Sequence, residues 1–228
     1  MDEWRIFLYP FGFLSSIAFG TRFIIQWLQS ERAGMSLSTS AFWRISLLGN
    51  ALLIVHSFVQ IQYHICLIQV GNAVIAWRNL DLIQRRAPPL STRLTVTLWL
   101  SALLLTTLAF ACQSWLLADG GGWFRIPRAP WQHSTTSPLP LFWHLLGAIA
   151  YLIFSSRFFV QWWLAERSYT SLFTPSFWWL SLIGGLTSIA YFARIGDSVN
   201  LIGPLLGLAP YARNLILLQH KPCVVRKL

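Results

Sequence analysis

Seven long apolar stretches run through this sequence, at roughly 6–29, 42–61, 64–83, 94–117, 139–164, 177–194 and 198–219. A helix needs about 20 mostly apolar residues to cross the hydrocarbon core of a bilayer, and only helices or closed barrels satisfy their backbone there. Barrel strands would alternate apolar and polar residues, and these stretches do not. The expected fold class is all-α: a polytopic membrane protein with about seven transmembrane helices. Composition agrees, with 55% hydrophobic residues and only 11% charged, where a soluble domain carries about a quarter. The first stretch reads as a retained helix, because its leading residues are not basic overall and no small-x-small cleavage site follows.

The net charge of +10 would raise nucleic-acid binding in a soluble protein, but no Lys/Arg run exceeds two residues and the basic residues sit mostly at the ends of apolar segments. An anionic membrane surface is the better partner, and no nucleic acid is expected. Arg32, Arg85, Arg86, Arg93, Arg167, Lys221, Arg226 and Lys227 fall on one side; Arg5, Arg125, Arg128 and Arg194 fall on the other. The first side is therefore read as cytoplasmic, which leaves the amino terminus outside and the carboxyl terminus inside.

A Gly/Pro/Trp-rich loop at 119–138 divides the chain, and the two halves repeat each other. At an offset of 135 residues (154 against 19), 20 of 65 ungapped positions are identical between 19–83 and 154–218. Arg22, Gln26, Glu31 and Arg78-Asn79 land on Arg157, Gln161, Glu166 and Arg213-Asn214. Shared hydrophobicity matches Leu to Ile; it does not match Arg, Gln, Glu and Asn to themselves. The domain reading follows: 1–86 is one three-helix repeat, 87–138 a connector helix and loop, and 139–228 the second repeat. Three helices leave the chain across the bilayer and the connector returns it, so the layout is 3+1+3 with parallel repeats.

Arg22 and Gln26, spaced i, i+4, share a helix face, as do Arg157 and Gln161. With Arg78, Asn79, Arg213 and Asn214 they fall in the cytoplasmic half of the bilayer. Cationic side chains there cost roughly 2.5–3.5 kcal/mol at the centre. Four arginines without four intramembrane acids invite an anionic ligand, and guanidinium and carboxamide donors suit a lipid phosphate headgroup. Two alternatives stay open: an arginine near a helix end can snorkel to the interface, and Gln and Asn can bond neighbouring helices. Glu31 and Glu166, placed at the starts of loops, are read as surface partners of the adjacent arginines or as groups that orient Arg22 or Arg78. The Phe42-Trp43 and Phe177-Trp178 pairs are read as interfacial anchors. Gly203-x-x-x-Gly207, with Pro204 and Pro210, marks a kinked or closely packed seventh span. Cys66, Cys112 and Cys223 lack metal or redox spacing and are read as small buried hydrophobes. His56 and His144 stand alone, and there is no catalytic triad, P-loop or dinucleotide motif. No catalytic residue, metal or cofactor is expected.

The pattern Arg-Phe-x-x-Gln-Trp-x-x-x-x-Glu, followed by Ser, Phe-Trp, Ser, Gly and finally Arg-Asn-Leu, occurs at 22–80 and at 157–215. It resembles the lipid A biosynthesis N-terminal domain family, which is similar to the SWEET and PQ-loop three-helix bundles. A duplicated copy looks like the membrane extension of chlamydia-type lipid-A-disaccharide synthase. That enzyme condenses UDP-diacylglucosamine with lipid X. The resemblance implies a bacterial inner-membrane module that binds an anionic glycolipid or lipid phosphate and presents it to a glycosyltransferase, fused or separate. It also leaves open a SWEET-like transporter or flippase of a sugar or lipid-linked sugar, and a non-catalytic anchor or scaffold. The family's Gly-Gln in the third helix is replaced here by Ile68-Gln69 and Gly203-Pro204.

Overall fold

The computed structural model describes residues 3–84, 90–117, 123 and 140–220. The loop residues 119–122 and 124–138, with Arg85, Arg86, Arg125, Arg128, Lys221, Cys223, Arg226 and Lys227, lie outside the described residues. The elements are all helical: α1 (Glu3–Phe7), α2 (Pro10–Ala33), α3 (Ser40–Val59), α4 (Tyr63–Gln84), α5 (Thr92–Leu117), α6 (Leu141–Ser168), α7 (Pro175–Ile195) and α8 (Ser198–His220). The first apolar stretch is broken, since Pro10 opens α2 and separates it from α1. Both α2 and α6 run further than expected, so Glu31 and Glu166 sit in their last turns and not in loops.

Among the described residues six helices, not seven, are long and apolar enough to cross a membrane. The exception is α4. It has sufficient length, but Gln69, Asn72, Arg78, Asn79 and Asp81 dilute its hydropathy. The outer faces are inverted relative to a soluble protein. On α2, Ser15, Ser16, Arg22, Gln26 and Ser30 are buried, while Leu14, Ile17, Ile24 and Leu28 are exposed. Such a surface suits hydrocarbon and not water, as a multi-pass membrane protein requires.

Packing follows chain order within each half: α2 on α3 and α3 on α4, then α6 on α7 and α7 on α8. The halves join where α2 meets α8 and α4 meets α6, and α5 packs chiefly along α4. The core at this junction is aromatic and drawn from both halves. Phe23, Phe42, Trp43, Phe158, Phe173, Phe177, Trp178 and Tyr211 meet mostly edge to face, with Phe173 and Phe177 stacked at 4.5 Å. The two Phe-Trp pairs are therefore not interfacial anchors. All four rings are fully buried. Trp43 Nε1 donates to Ser38 and to Ser171 of the other half, and Trp178 Nε1 donates to Ser36. Each pair opens its helix on the face turned toward the other repeat, and composition alone does not reveal that face.

Equivalent turns share a left-handed residue. After α2, Gly34 has φ 64°, and its equivalent after α6 is Tyr169 at φ 50°; after α7, Gly196 has φ 74°, and its equivalent after α3 is Ile61 at φ 57°. The conformation costs an ordinary residue about 1 kcal/mol or more, and a β-branched one most. Ile61→Gly and Tyr169→Gly are each expected to stabilise the fold by about 1 kcal/mol, read as a higher midpoint of thermal unfolding in detergent. Next to Gly196, Asp197 caps α8 by accepting from the Asn200 backbone N–H at 3.1 Å and the Asn200 side chain at 2.8 Å.

Candidate anion site between the repeats

The structure brings the repeated polar residues together across the junction of the halves. Gln26 and Asn214 exchange reciprocal carboxamide bonds of 3.0 and 3.1 Å. Gln161 and Asn79 do the same at 2.7 and 3.0 Å. Each asparagine also donates to a carbonyl one turn back, Asn79 to Ile75 and Asn214 to Pro210. Arg78 grips Glu166 with Nε and Nη2 at 2.7 and 2.9 Å and holds Asp81 with Nη1 at 2.7 Å. Arg213 grips Glu31 in the same two-pronged way. Trp27 and Trp162 donate to Glu31 and Glu166, each at 2.9 Å. Six of the eight polar side chains expected to face a headgroup thus bond across the halves. The glutamates pair with Arg213 and Arg78 of the opposite half. They contact neither Arg22 nor the arginines beside them in sequence.

Arg22 and Arg157 remain. Both are buried, at 4% and 3% exposure. Arg22 Nη1 donates to Ser46 Oγ at 2.8 Å, and Arg157 Nη1 donates to Tyr211 Oη at 3.1 Å. Aromatic rings flank both guanidiniums, Phe19 at 4.5 Å from Arg22 and Phe154 at 3.5 Å from Arg157. In each, Nε is buried without an acceptor. Among the described residues no carboxylate lies within ion-pair distance of either. Two cations therefore share one low-dielectric site without a counter-charge.

They line the same cavity, which holds about 70 Å³, enough for several waters. Ser16, Asn72, Ser155, Ser188 and Asn200 add hydroxyl and amide groups to its wall. Gly203 opens onto empty space, with no atom within 4 Å of where a Cβ would stand. Gly207, by contrast, lies under the Tyr211 ring, where a Cβ would fall at 2.2 Å. Ile68-Gln69 and their repeat equivalents Gly203-Pro204 all line this cavity.

The sequence did not single out Tyr211, Asn72 or Asn200, and Ser46 stood out only as a repeated serine of the pattern. The available signal was a polar residue within an apolar span; an offset of 135 residues finds only those that recur. At the far end Gln62 meets its own repeat equivalent, Asp197, at 3.3 Å. Burial pushes the Asp197 carboxyl above the ordinary carboxylate range, against bonds from Asn200 and Gln62 that favour its charged form. His56 is buried against Tyr9 at 5.1 Å, and His144 is exposed on α6. Cys66 is buried as expected, whereas Cys112 is exposed on α5, a helix with a single packed face.

Comparison with known proteins matches this arrangement. The profile of the Lipid A Biosynthesis N-terminal domain fits twice, at residues 11–81 and 146–216. Lipid-A-disaccharide synthases of Chlamydia felis and Chlamydia pneumoniae are each 37% identical to the chain, over 94% and 91% of it, and that of Chlamydia caviae is 35% identical over 94%. The chain spans about a third of the length of these relatives, 33% in each case. No solved structure matches it. Two copies of one domain profile, carrying the residues that bond the halves together, place the chain in the Lipid A Biosynthesis N-terminal domain family.

Proposed function

We propose that this chain is a membrane module of lipid A biosynthesis that holds an anionic lipid phosphate between its two repeats and presents it to a glycosyltransferase. One observation carries the reading: Arg22 and Arg157 line one cavity, each with an unsatisfied Nε and neither with a carboxylate partner. A phosphate supplies both the counter-charge and the acceptors. Gln26, Asn79, Gln161, Asn214, Arg78 and Arg213 act as the frame that fixes the distance between the two arginines, with Glu31 and Glu166 orienting Arg213 and Arg78.

The finer topology belongs to the same reading. The chain is 3+1+3, with α4 a seventh span whose polar face turns inward, repeats at 1–86 and 139–228, and α5 in the connector. Contact between the equivalents Gln62 and Asp197 supports a two-fold axis along the membrane normal, hence parallel repeats. The charges of Arg32, Arg93 and Arg167 support a reading in which the Glu31 and Glu166 end of the helices lies at the cytoplasmic face of a bacterial inner membrane. A sugar nucleotide and a glycosyltransferase, fused or separate, act on that side. That the relatives are lipid-A-disaccharide synthases supports the choice of enzyme.

Lipids retained by the purified chain, identified by native mass spectrometry, test the proposal. A phosphate-bearing anionic lipid enriched over the bulk membrane is expected; retention in bulk proportion overturns the reading. Gly203→Phe extends a ring into the open cavity and removes a helix-interior glycine. It is expected to reduce retention roughly tenfold, about 1.4 kcal/mol, without lowering the thermal midpoint. A second reading, movement of a sugar or lipid-linked sugar, draws on the cavity lying between two parallel halves. Transfer of a labelled lipid across reconstituted vesicles favours it; binding without transfer favours the first. A scaffold role predicts that Arg22 and Arg157 tolerate replacement.

A further inference from the structure

A second hollow lies on the membrane-facing side, between α4, α5 and α6. It holds about 310 Å³, at the lower end of ligand-site sizes. Leu67, Ile75, Leu103, Leu152 and Phe159 line it. It adjoins the arginine cavity, since Ile68, Asn72 and Ser155 line both. One donor inside it lacks an acceptor. The Trp99 indole Nε1 is buried and unpartnered, set so close over α4 that a Cβ on Gly71 would lie 2.9 Å from it. A buried indole N–H without an acceptor carries a desolvation cost of about 1–3 kcal/mol.

We propose that this groove seats one acyl chain of the lipid whose phosphate lies at Arg22 and Arg157, and that Trp99 Nε1–H donates to the carbonyl at the head of that chain. The inference rests on the phosphate reading above. Apolar walls, a cationic cavity directly alongside and one stranded donor match a molecule with a phosphate, a carbonyl and a hydrocarbon tail in that order. A helix from a second copy would fill the groove but would leave both the donor and the arginines unsatisfied.

The test uses the full chain in phosphatidylcholine nanodiscs with phosphatidic acid carrying a diazirine at the end of one acyl chain. After irradiation, adducts are expected on α4, α5 and α6 around Leu67, Leu103 and Leu152, and excess dioleoyl phosphatidic acid should remove them. Adducts spread over the outward leucines of the chain, without competition, overturn the groove, as does crosslinking to a second copy. Leu152→Trp, which fills the groove from the exposed side, is expected to weaken retention of dioleoyl phosphatidic acid roughly tenfold. Dihexanoyl phosphatidic acid, too short to depend on the groove, should bind the variant as it binds the unaltered chain. If Leu152→Trp changes neither lipid while Arg22→Gln/Arg157→Gln loses both, the groove is wrong and the phosphate site stands. If the unaltered chain retains neither, both fall.

Discussion

Replacing Glu166 by alanine is expected to cost about 3–5 kcal/mol of stability. Arg78 is fully buried, and Glu166 is its two-pronged partner, with the side chains 0% and 8% exposed. Glu166 also accepts from Trp162 on its own helix and from Thr92 at the start of α5, at 2.7 Å. Its removal leaves Arg78 with only Asp81 and cuts the tie between α4, α5 and α6. The equivalent change, Glu31→Ala, is expected to cost far less, although the pair is identical in sequence. Glu31 and Arg213 are 31% and 42% exposed, and exposed pairs contribute little. The connector helix accounts for the difference: α5 packs over α4 and covers the first pair, while among the described residues no equivalent helix covers the second. Midpoints of thermal unfolding in one detergent check this; equal shifts for Glu31→Ala and Glu166→Ala would refute it.

The second large effect concerns binding. Arg22→Gln/Arg157→Gln removes two charges from the cavity and keeps polar side chains of similar reach. Hydrogen bonds to charged groups contribute roughly 1.5–3 kcal/mol each. Loss of one such bond per arginine weakens phosphatidic acid binding by on the order of 100-fold or more. The fold should persist or gain, because burying a guanidinium without a counter-charge is itself unfavourable. A variant that binds less lipid yet melts no lower, by titration in nanodiscs and thermal unfolding, therefore separates a ligand site from a structural one.

Much of the architecture was legible in the sequence because the bilayer constrains it. Apolar length located the long helices to within a few residues, and polar identity at an offset of 135 residues exposed the duplication. The same evidence did not show which of the repeated residues meet each other. An offset states that Gln26 and Gln161 are equivalent; it does not state that Gln26 finds Asn214 and Gln161 finds Asn79. Those bonds exist because each half presents its polar face to the other, and helix periodicity within one half carries no information about its partner. Trp43 and Trp178 were misread for the same reason. Tryptophan favours interfaces on average, but these two face the junction, where serines of the loops after α2 and α6 accept their N–H groups. The two arginines without a carboxylate partner could be told from the two that have one only once Glu31 and Glu166 had been placed in three dimensions.

The most direct measurement titrates phosphatidic acid against the unaltered chain, Arg22→Gln/Arg157→Gln and Arg213→Gln in one nanodisc preparation. If the repeated polar set divides into a frame and a binding pair, the double variant loses affinity by on the order of 100-fold, and Arg213→Gln stays within about threefold of the unaltered chain. Equal losses in both variants, or an unchanged double variant, would contradict the account.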